Sequence, residues 1–254
     1  MQAYERSMEV ADGELFYRHQ GAGAPLLLLH GLTGTGDDFE HLFELDQLAR
    51  RYSVIRPDAR GHGRTTLSAG ELTFRRCALD VLALLDDLGI ERVHAIGISL
   101  GAKTLLHLTR EAPARIRAMV LVSAAPRFPA ATRAALRAFA ATPHSADEWS
   151  AMRTQHVQGD AQIQALYELP ARLADDETDM CFRAEELREL AIPTLLVSGD
   201  RDPLYPVELA LELYRNMPLA SLWVVPRGGH CPVFAEQRDA FARTALSHLV
   251  EDGR

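Results

Sequence analysis

Cysteine is scarce in this chain. The three present, Cys77, Cys181 and Cys231, are an odd number at wide spacing, which suits neither a disulfide framework nor a CxxC metal site. They read as free thiols in a reducing cytoplasm. Cys231 follows His230 directly and is expected to point away from it, as neighbours on a loop generally do. Long apolar runs are also missing. The most apolar stretch, Pro25 to Leu29, is far too short to span a bilayer, and no membrane span is expected. The first ten residues carry Glu5 and Glu9 and lack the basic start and apolar core of a secretion signal. No basic stripe exists: 27 Lys and Arg are scattered among 35 Asp and Glu, for a net charge of −8. A surface of that kind does not track phosphates, so nucleic acid is not an expected partner. HExxH, clustered histidines and a GxGxxG after the first parallel strand are all absent, so neither a metal nor a dinucleotide cofactor is expected.

What remains is a chain of 254 residues, 47% of them apolar, enough for one α/β domain with an insertion. Short leucine-rich or β-branched runs alternate with stretches of helical period, the pattern of a parallel sheet with crossover helices. The opening differs. Glu5 to Val10 and Glu14 to His19 predict an antiparallel hairpin turning at Asp12-Gly13. Strands are predicted at Pro25–Leu29, Ser53–Arg56, Val93–Ile98, Ala118–Ser123, Thr194–Ser198 and Ser221–Val225. Helices are predicted from about Asp37 to Arg51, over Phe74–Leu88 with Leu79, Leu82, Leu85 and Leu88 on one face, and from the Gly97–Gly101 turn to Glu111. Two more are predicted at Val207–Asn216 and Val233–Val250. From Arg127 to Leu187 the strand rhythm stops and Ala-rich, charged, helix-favouring sequence takes over. This predicts a helical cap at 127–187 inserted between core segments 1–126 and 188–254.

Gly97-Ile98-Ser99-Leu100-Gly101 follows a predicted strand and opens a predicted helix, the context of a nucleophile elbow. A serine held on a strained turn needs neighbours without side chains, so that strand and helix approach closely and its hydroxyl projects. The hydroxyl is a poor nucleophile until a base takes its proton, so a histidine and an acid are required downstream. Gly199-Asp200-Arg201-Asp202 lies just past one predicted strand, and Gly228-Gly229-His230 just past the next. Loops at the carboxyl ends of parallel strands share one edge of the sheet, so these groups can converge on Ser99. Either Asp200 or Asp202 could be the acid.

Taken together these motifs resemble the α/β-hydrolase family, whose triad runs Ser, acid, His in chain order, over almost the whole chain outside the cap. The resemblance implies a mostly parallel eight-stranded sheet flanked by helices, with Ser99 as nucleophile, His230 as base and Asp202 as the acid, the last residue of a GxxD stretch. Through His30-Gly31-Leu32 it implies an oxyanion hole from the backbone N–H groups of Leu32 and Leu100, with His30 bracing the loop. Asp58-Ala59-Arg60-Gly61-His62-Gly63-Arg64 resembles the family's DxRGHGxS loop, with Thr65 where serine is usual; Asp58 and His62 are expected to brace the site. Relatives that dehalogenate or open epoxides carry aspartate at the elbow, so those reactions are not expected here.

The cap offers Phe128, Phe139 and Trp149 as candidates for the pocket wall, with Met152, Tyr167, Met180 and Phe182 mainly as cap core. Lys103, one helical turn past Ser99, is a further substrate-binding candidate. The expected arrangement for it is a partly buried lysine paired with an internal acid or reaching for water. The expected function is hydrolysis of a small-molecule carboxylic ester or lactone through an acyl-enzyme. The same triad could instead serve carbon–carbon bond hydrolysis of ring-cleavage products, perhydrolysis, or a receptor-like binding module with little turnover. Oligomeric state has no signature in the sequence.

Overall fold

The computed structural model describes residues 4–10, 13–66 and 72–251. Eight strands run through them: β1 (Tyr4–Val10), β2 (Gly13–Gln20), β3 (Ala24–Leu29), β4 (Tyr52–Pro57), β5 (Val93–Ile98), β6 (Ile116–Val122), β7 (Thr194–Gly199) and β8 (Ala220–Val225). They form one sheet in the order β1-β2-β4-β3-β5-β6-β7-β8. β2 pairs antiparallel with β1 and β4, and the other neighbours pair in parallel. The expected hairpin is present, although Asp12 of its turn lies outside the described residues. The helices are α1 (Leu45–Leu48), α2 (Phe74–Asp87), α3 (Leu100–Glu111), α4 (Ala130–Ala140), α5 (Ala146–Gln155), α6 (Asp160–Asp175), α7 (Ala184–Glu189), α8 (Val207–Asn216) and α9 (Arg238–Glu251).

The leucine run of β3 shows why a covered sheet loses the alternation of apolar and polar residues. Leu27 and Leu29 enter the core shared with Leu84, Leu85 and Leu105 of α2 and α3. Leu26 and Leu28 point the other way, into a second core with Leu48, Phe241 and Leu249. Both faces are buried, so every position must be apolar. Each such side chain contributes about 1.5–3 kcal/mol by leaving water.

Three predicted helices differ from those observed. The face of α2 turned inward is Phe74, Cys77, Ala78, Val81, Leu84 and Leu85, whereas Leu79 is exposed. A strict spacing of three falls about 60° short of a full turn at each step, so the leucine series winds around the helix. The predicted helix from Asp37 to Arg51 is a 3-10 turn at Gly36–His41 followed by the single turn of α1. Its start is tied to β4 and the loop beyond by Gly36 N to Asp58 Oδ1 (2.9 Å) and Arg56 Nη1 to Gly36 O (3.0 Å). The last helix begins at Arg238, because the left-handed φ of Ala235, 51°, interrupts a regular helix before it.

Between β6 and β7 the chain leaves the sheet to form α4 to α7. The segment departs and returns through adjoining backbone: Phe182 N donates to Pro126 O (3.0 Å), and Arg127 bridges Cys181. Among the described residues no helix is long and apolar enough to cross a membrane.

Candidate active site

Ser99 sits where β5 turns into α3, with φ 48° and ψ −99°. An L-residue there stores strain of about 1–3 kcal/mol, which its surroundings must offset. They do so with Ser99 N to Val122 O (2.8 Å) and Gly101 N to His30 O (3.0 Å). The flanking glycines are required by contact. A Cβ on Gly97 would lie 2.5 Å from Gly101 O, and one on Gly101 would lie 2.1 Å from Leu29 O.

The loops after β7 and β8 bring two more groups to this turn. His230 Nδ1 is 2.8 Å from Asp202 Oδ2, and His230 Nε2 is 2.9 Å from Ser99 Oγ. A carboxylate only accepts, so in the neutral ring Nδ1 carries the proton and Nε2 is left to accept from the serine hydroxyl. Asp202 Oδ1 in turn accepts from Leu204 N (2.9 Å) and Tyr205 N (3.0 Å). Asp200, the competing acid in sequence, is exposed. Burial alone would lower the pKa of His230, but its contacts with Asp202 and Cys231 outweigh this and carry it up to about 9. For Asp202 burial pushes upward, and the His230 hydrogen bond and backbone donors bring it below the ordinary carboxylate value.

A cavity of about 250 Å³ opens over Ser99, lined by Leu32, Leu100 and His230 from the core and by Leu136, Phe139, Pro170 and Leu173 from α4 and α6. Of the aromatic candidates only Phe139 lies in its wall. Phe128 stands behind the wall, stacked on Tyr205 at 5.8 Å. Trp149 packs edge-on against Tyr167 at 5.4 Å, within the helical insertion. Helical spacing places aromatic residues on a face without saying which face meets the cavity. The wall also includes Phe74, Tyr205 and Cys231. Cys231 was expected to point away. Its φ of 55° and its N–H bond to Ser123 Oγ (3.0 Å) turn it toward the same cavity as His230.

A sequence model of the "Alpha/beta hydrolase family" matches residues 26–244. The chain belongs to this family. Among its relatives, a "Putative carbamate hydrolase RutD" from Pseudomonas syringae pv. syringae (strain B728a) is 31% identical over 85% of this chain and 90% of its own. A "2-hydroxymuconate semialdehyde hydrolase" from Pseudomonas putida is 28% identical over 91% and 89%. In fold the hydrolase is similar to the meta-cleavage product hydrolase CumD from Pseudomonas fluorescens IP01, with a TM-score of 0.78 at 23% identity and 97% of each chain covered.

Three histidines tie the hydrolase's Leu32 loop to its neighbours. His30 Nδ1 donates to Gly31 O (2.7 Å) and its Nε2 accepts from Ala59 N (2.9 Å). His62 Nε2 accepts from Thr33 N (3.3 Å) and Nδ1 donates to Arg60 O (3.0 Å). Burial, helped by His30 and His156 nearby, holds His62 well below the ordinary imidazole value, as the neutral ring required here. His156, from the insertion, accepts from Gly63 N (2.8 Å) and donates to Thr33 O (3.0 Å). Nothing around His156 in sequence marks it for this role. Asp58 accepts from Gly36 N and Arg64 N, closing the loop as expected.

Lys103 departs from expectation. Among the described residues it pairs with no acid, and it is 1% exposed and lines the cavity. Its Nζ has no hydrogen-bond partner among the described residues. It lies 4.3 Å from the centroid of the Tyr205 ring and 5.3 Å from that of Phe74. Burial pushes its pKa down to about 7, against the opposing pull of Cys231 and Asp202. Unfolding returns the group to 10.5. Between these values the unfolded chain holds a proton that the folded one has released, so this lysine makes stability rise with pH by about 1.4 kcal/mol per unit. Below about 7 both forms are charged and the full penalty of the buried ammonium stands. Lys103→Met should therefore unfold at higher urea than wild type near pH 6.5, with an advantage that shrinks steadily toward pH 10. Parallel pH profiles for the two proteins would refute this account of the lysine.

Proposed function

We propose that this hydrolase cleaves a carboxylic ester or lactone through an acyl-enzyme, with Ser99 as nucleophile, His230 as general base and Asp202 as its orienting acid. The observation that carries the reading is the imidazole of His230 suspended between Ser99 Oγ at 2.9 Å and Asp202 Oδ2 at 2.8 Å. In the first step Ser99 Oγ attacks the carbonyl carbon as its proton passes to Nε2, and the imidazolium that forms is stabilised by Asp202. The oxyanion is held by the N–H groups of Leu32 and Leu100, each such donor contributing about 10²–10³ in rate. The proton on Nε2 then goes to the leaving alcohol. In the second step Nε2 takes a proton from water as its oxygen adds to the acyl carbon, and the bond to Ser99 Oγ then breaks as Nε2 returns that proton to Oγ, releasing the acid.

Residues 127–187 act in this reading as a cap on the core segments 1–126 and 188–254. Support comes from Leu136, Phe139, Pro170 and Leu173 of α4 and α6, which line the cavity over Ser99. The three unpaired thiols favour a reducing, cytoplasmic setting.

Relatives are named for the hydrolysis of carbamates and of a muconate semialdehyde, so the test is a comparison of kcat/KM. The panel is 4-nitrophenyl butyrate, a γ-lactone, a ring-cleavage dienone and an N-alkyl carbamate. The ester or lactone is expected to give the highest value. A dienone or carbamate preferred by tenfold or more would overturn the substrate class while keeping the triad. Absence of sustained nitrophenol release would point to a binding module.

A further inference from the structure

We propose that His156 is a positioning residue: through Thr33 O the helical insertion holds the turn that carries the Leu32 N–H, so the oxyanion donor is aimed while the insertion is seated. The assignment rests on the ester-hydrolase reading of the same site and names what completes it.

The first observation is strain in the turn. Gly34 N donates to Gly31 O (3.2 Å), closing a four-residue turn with Leu32 and Thr33 at its centre. Thr33 has φ 62°. That left-handed form at the third position of a turn suits glycine, and a β-branched residue is strained in it. Such a conformation persists where its surroundings over-determine it. Relaxing Thr33 to negative φ would rotate the peptides around it, and the Leu32 N–H is one residue away. A Cβ on Gly31 would lie 3.8 Å from Ser99 Cβ, so the turn rests directly on the elbow.

The second observation is what restrains Thr33. Its N–H donates to His62 Nε2 of the core (3.3 Å), and its C=O accepts from His156 Nε2 (3.0 Å). His156 is 1% exposed and stands at the end of α5 in the insertion, where its own N–H donates to Met152 O (2.8 Å). Its Nδ1 accepts from Gly63 N (2.8 Å), so the ring must be neutral with its proton on Nε2. Burial, with His30 adding to it, lowers the His156 pKa against Thr33 O and Asp58, and this favours the neutral ring. The residues that follow grip the loop of Gly63. Val157 N and Gln162 Nε2 donate to Gly63 O (3.3 and 3.2 Å), and Gln158 Nε2 donates to Arg64 O (3.3 Å). These bonds seat the insertion on the core. The bond to Thr33 O goes further and gives the insertion a hold on the turn beside Ser99.

Two substitutions separate the two bonds of the ring. Glutamine carries an amide N–H at the reach of Nε2 and keeps the bond to Thr33 O. Asparagine, one carbon shorter, keeps an acceptor for Gly63 N and loses Thr33. In His156→Asn the kcat for 4-nitrophenyl butyrate is expected to fall about tenfold to a hundredfold, less than removal of an oxyanion donor outright. KM should stay within about twofold, because the donor acts on the transition state. His156→Gln should keep kcat within about threefold of wild type. Amide hydrogen exchange of the peptide spanning Gly31–Gly36 should speed up by at least about tenfold in His156→Asn and little in His156→Gln. Equal rates in wild type and His156→Asn, or a glutamine variant as slow as the asparagine one, would overturn the proposal. The exchange pattern as expected, with no ester hydrolysed by wild type, would keep the positioning role and remove the ester reading. Ester hydrolysis and exchange both indifferent to His156 would do the reverse.

Discussion

Ser99→Ala should lower the hydrolysis of 4-nitrophenyl butyrate by roughly 10⁴- to 10⁶-fold. The loss follows from the division of labour at the elbow. His230 and the candidate oxyanion donors stay in place in the variant, so what disappears is the covalent step. The residual rate is that of water attacking a carbonyl held in a favourable environment. Alanine keeps the Cβ and the same strained backbone, so circular dichroism and melting temperature should stay close to wild type. An alanine variant that retained a tenth of the wild-type rate would remove Ser99 from the chemistry. It would direct attention to Cys231, whose thiol lines the same cavity.

The second large effect is expected from the acid. Asp202→Asn should lower kcat/KM by about 10³–10⁴, because an amide nitrogen facing Nδ1 favours the tautomer with its proton on Nε2, where it cannot accept from serine. The amide oxygen can still accept from Leu204 N and Tyr205 N, as Asp202 Oδ1 does now. The loss should therefore be in rate far more than in folding. Asp200→Asn, on an exposed side chain, should change the rate by less than about threefold. Comparable losses from the two variants, measured with the same ester, would contradict the assignment of the acid.

Much of this site was legible before the structure, for a physical reason. The elbow needs glycines because the backbone atoms of Gly101 and Leu29 approach too closely for any side chain. The acid and base must lie in loops at one edge of a parallel sheet, which chain order alone brings into register. Strand positions could be read because β3 and β5 to β7 are buried on both faces over most of their length and so are mainly apolar. What failed depended on the direction of individual side chains. Leu79 shares its type and spacing with buried leucines, yet the sheet takes the neighbouring face of α2. Phe128 and Trp149 have the character of pocket residues, but the packing of α4 and α6 turns only Phe139 to the cavity. Lys103 was expected to find an acid or water, and only the structure shows the rings of Tyr205 and Phe74 closed around it instead. Cys231 is set by a left-handed φ that its residue type gives no reason to expect.

The central claim is that His230 and Asp202 make the Ser99 hydroxyl a nucleophile. A fluorophosphonate tests it most directly, because it reacts fast with a serine so activated and stays bonded to it. The expected result of mass spectrometry on the digested protein is one equivalent of label, on the peptide containing Ser99, with none in Ser99→Ala and labelling slowed by orders of magnitude in Asp202→Asn. No label on the wild-type protein, or label on a residue other than Ser99, would contradict the account.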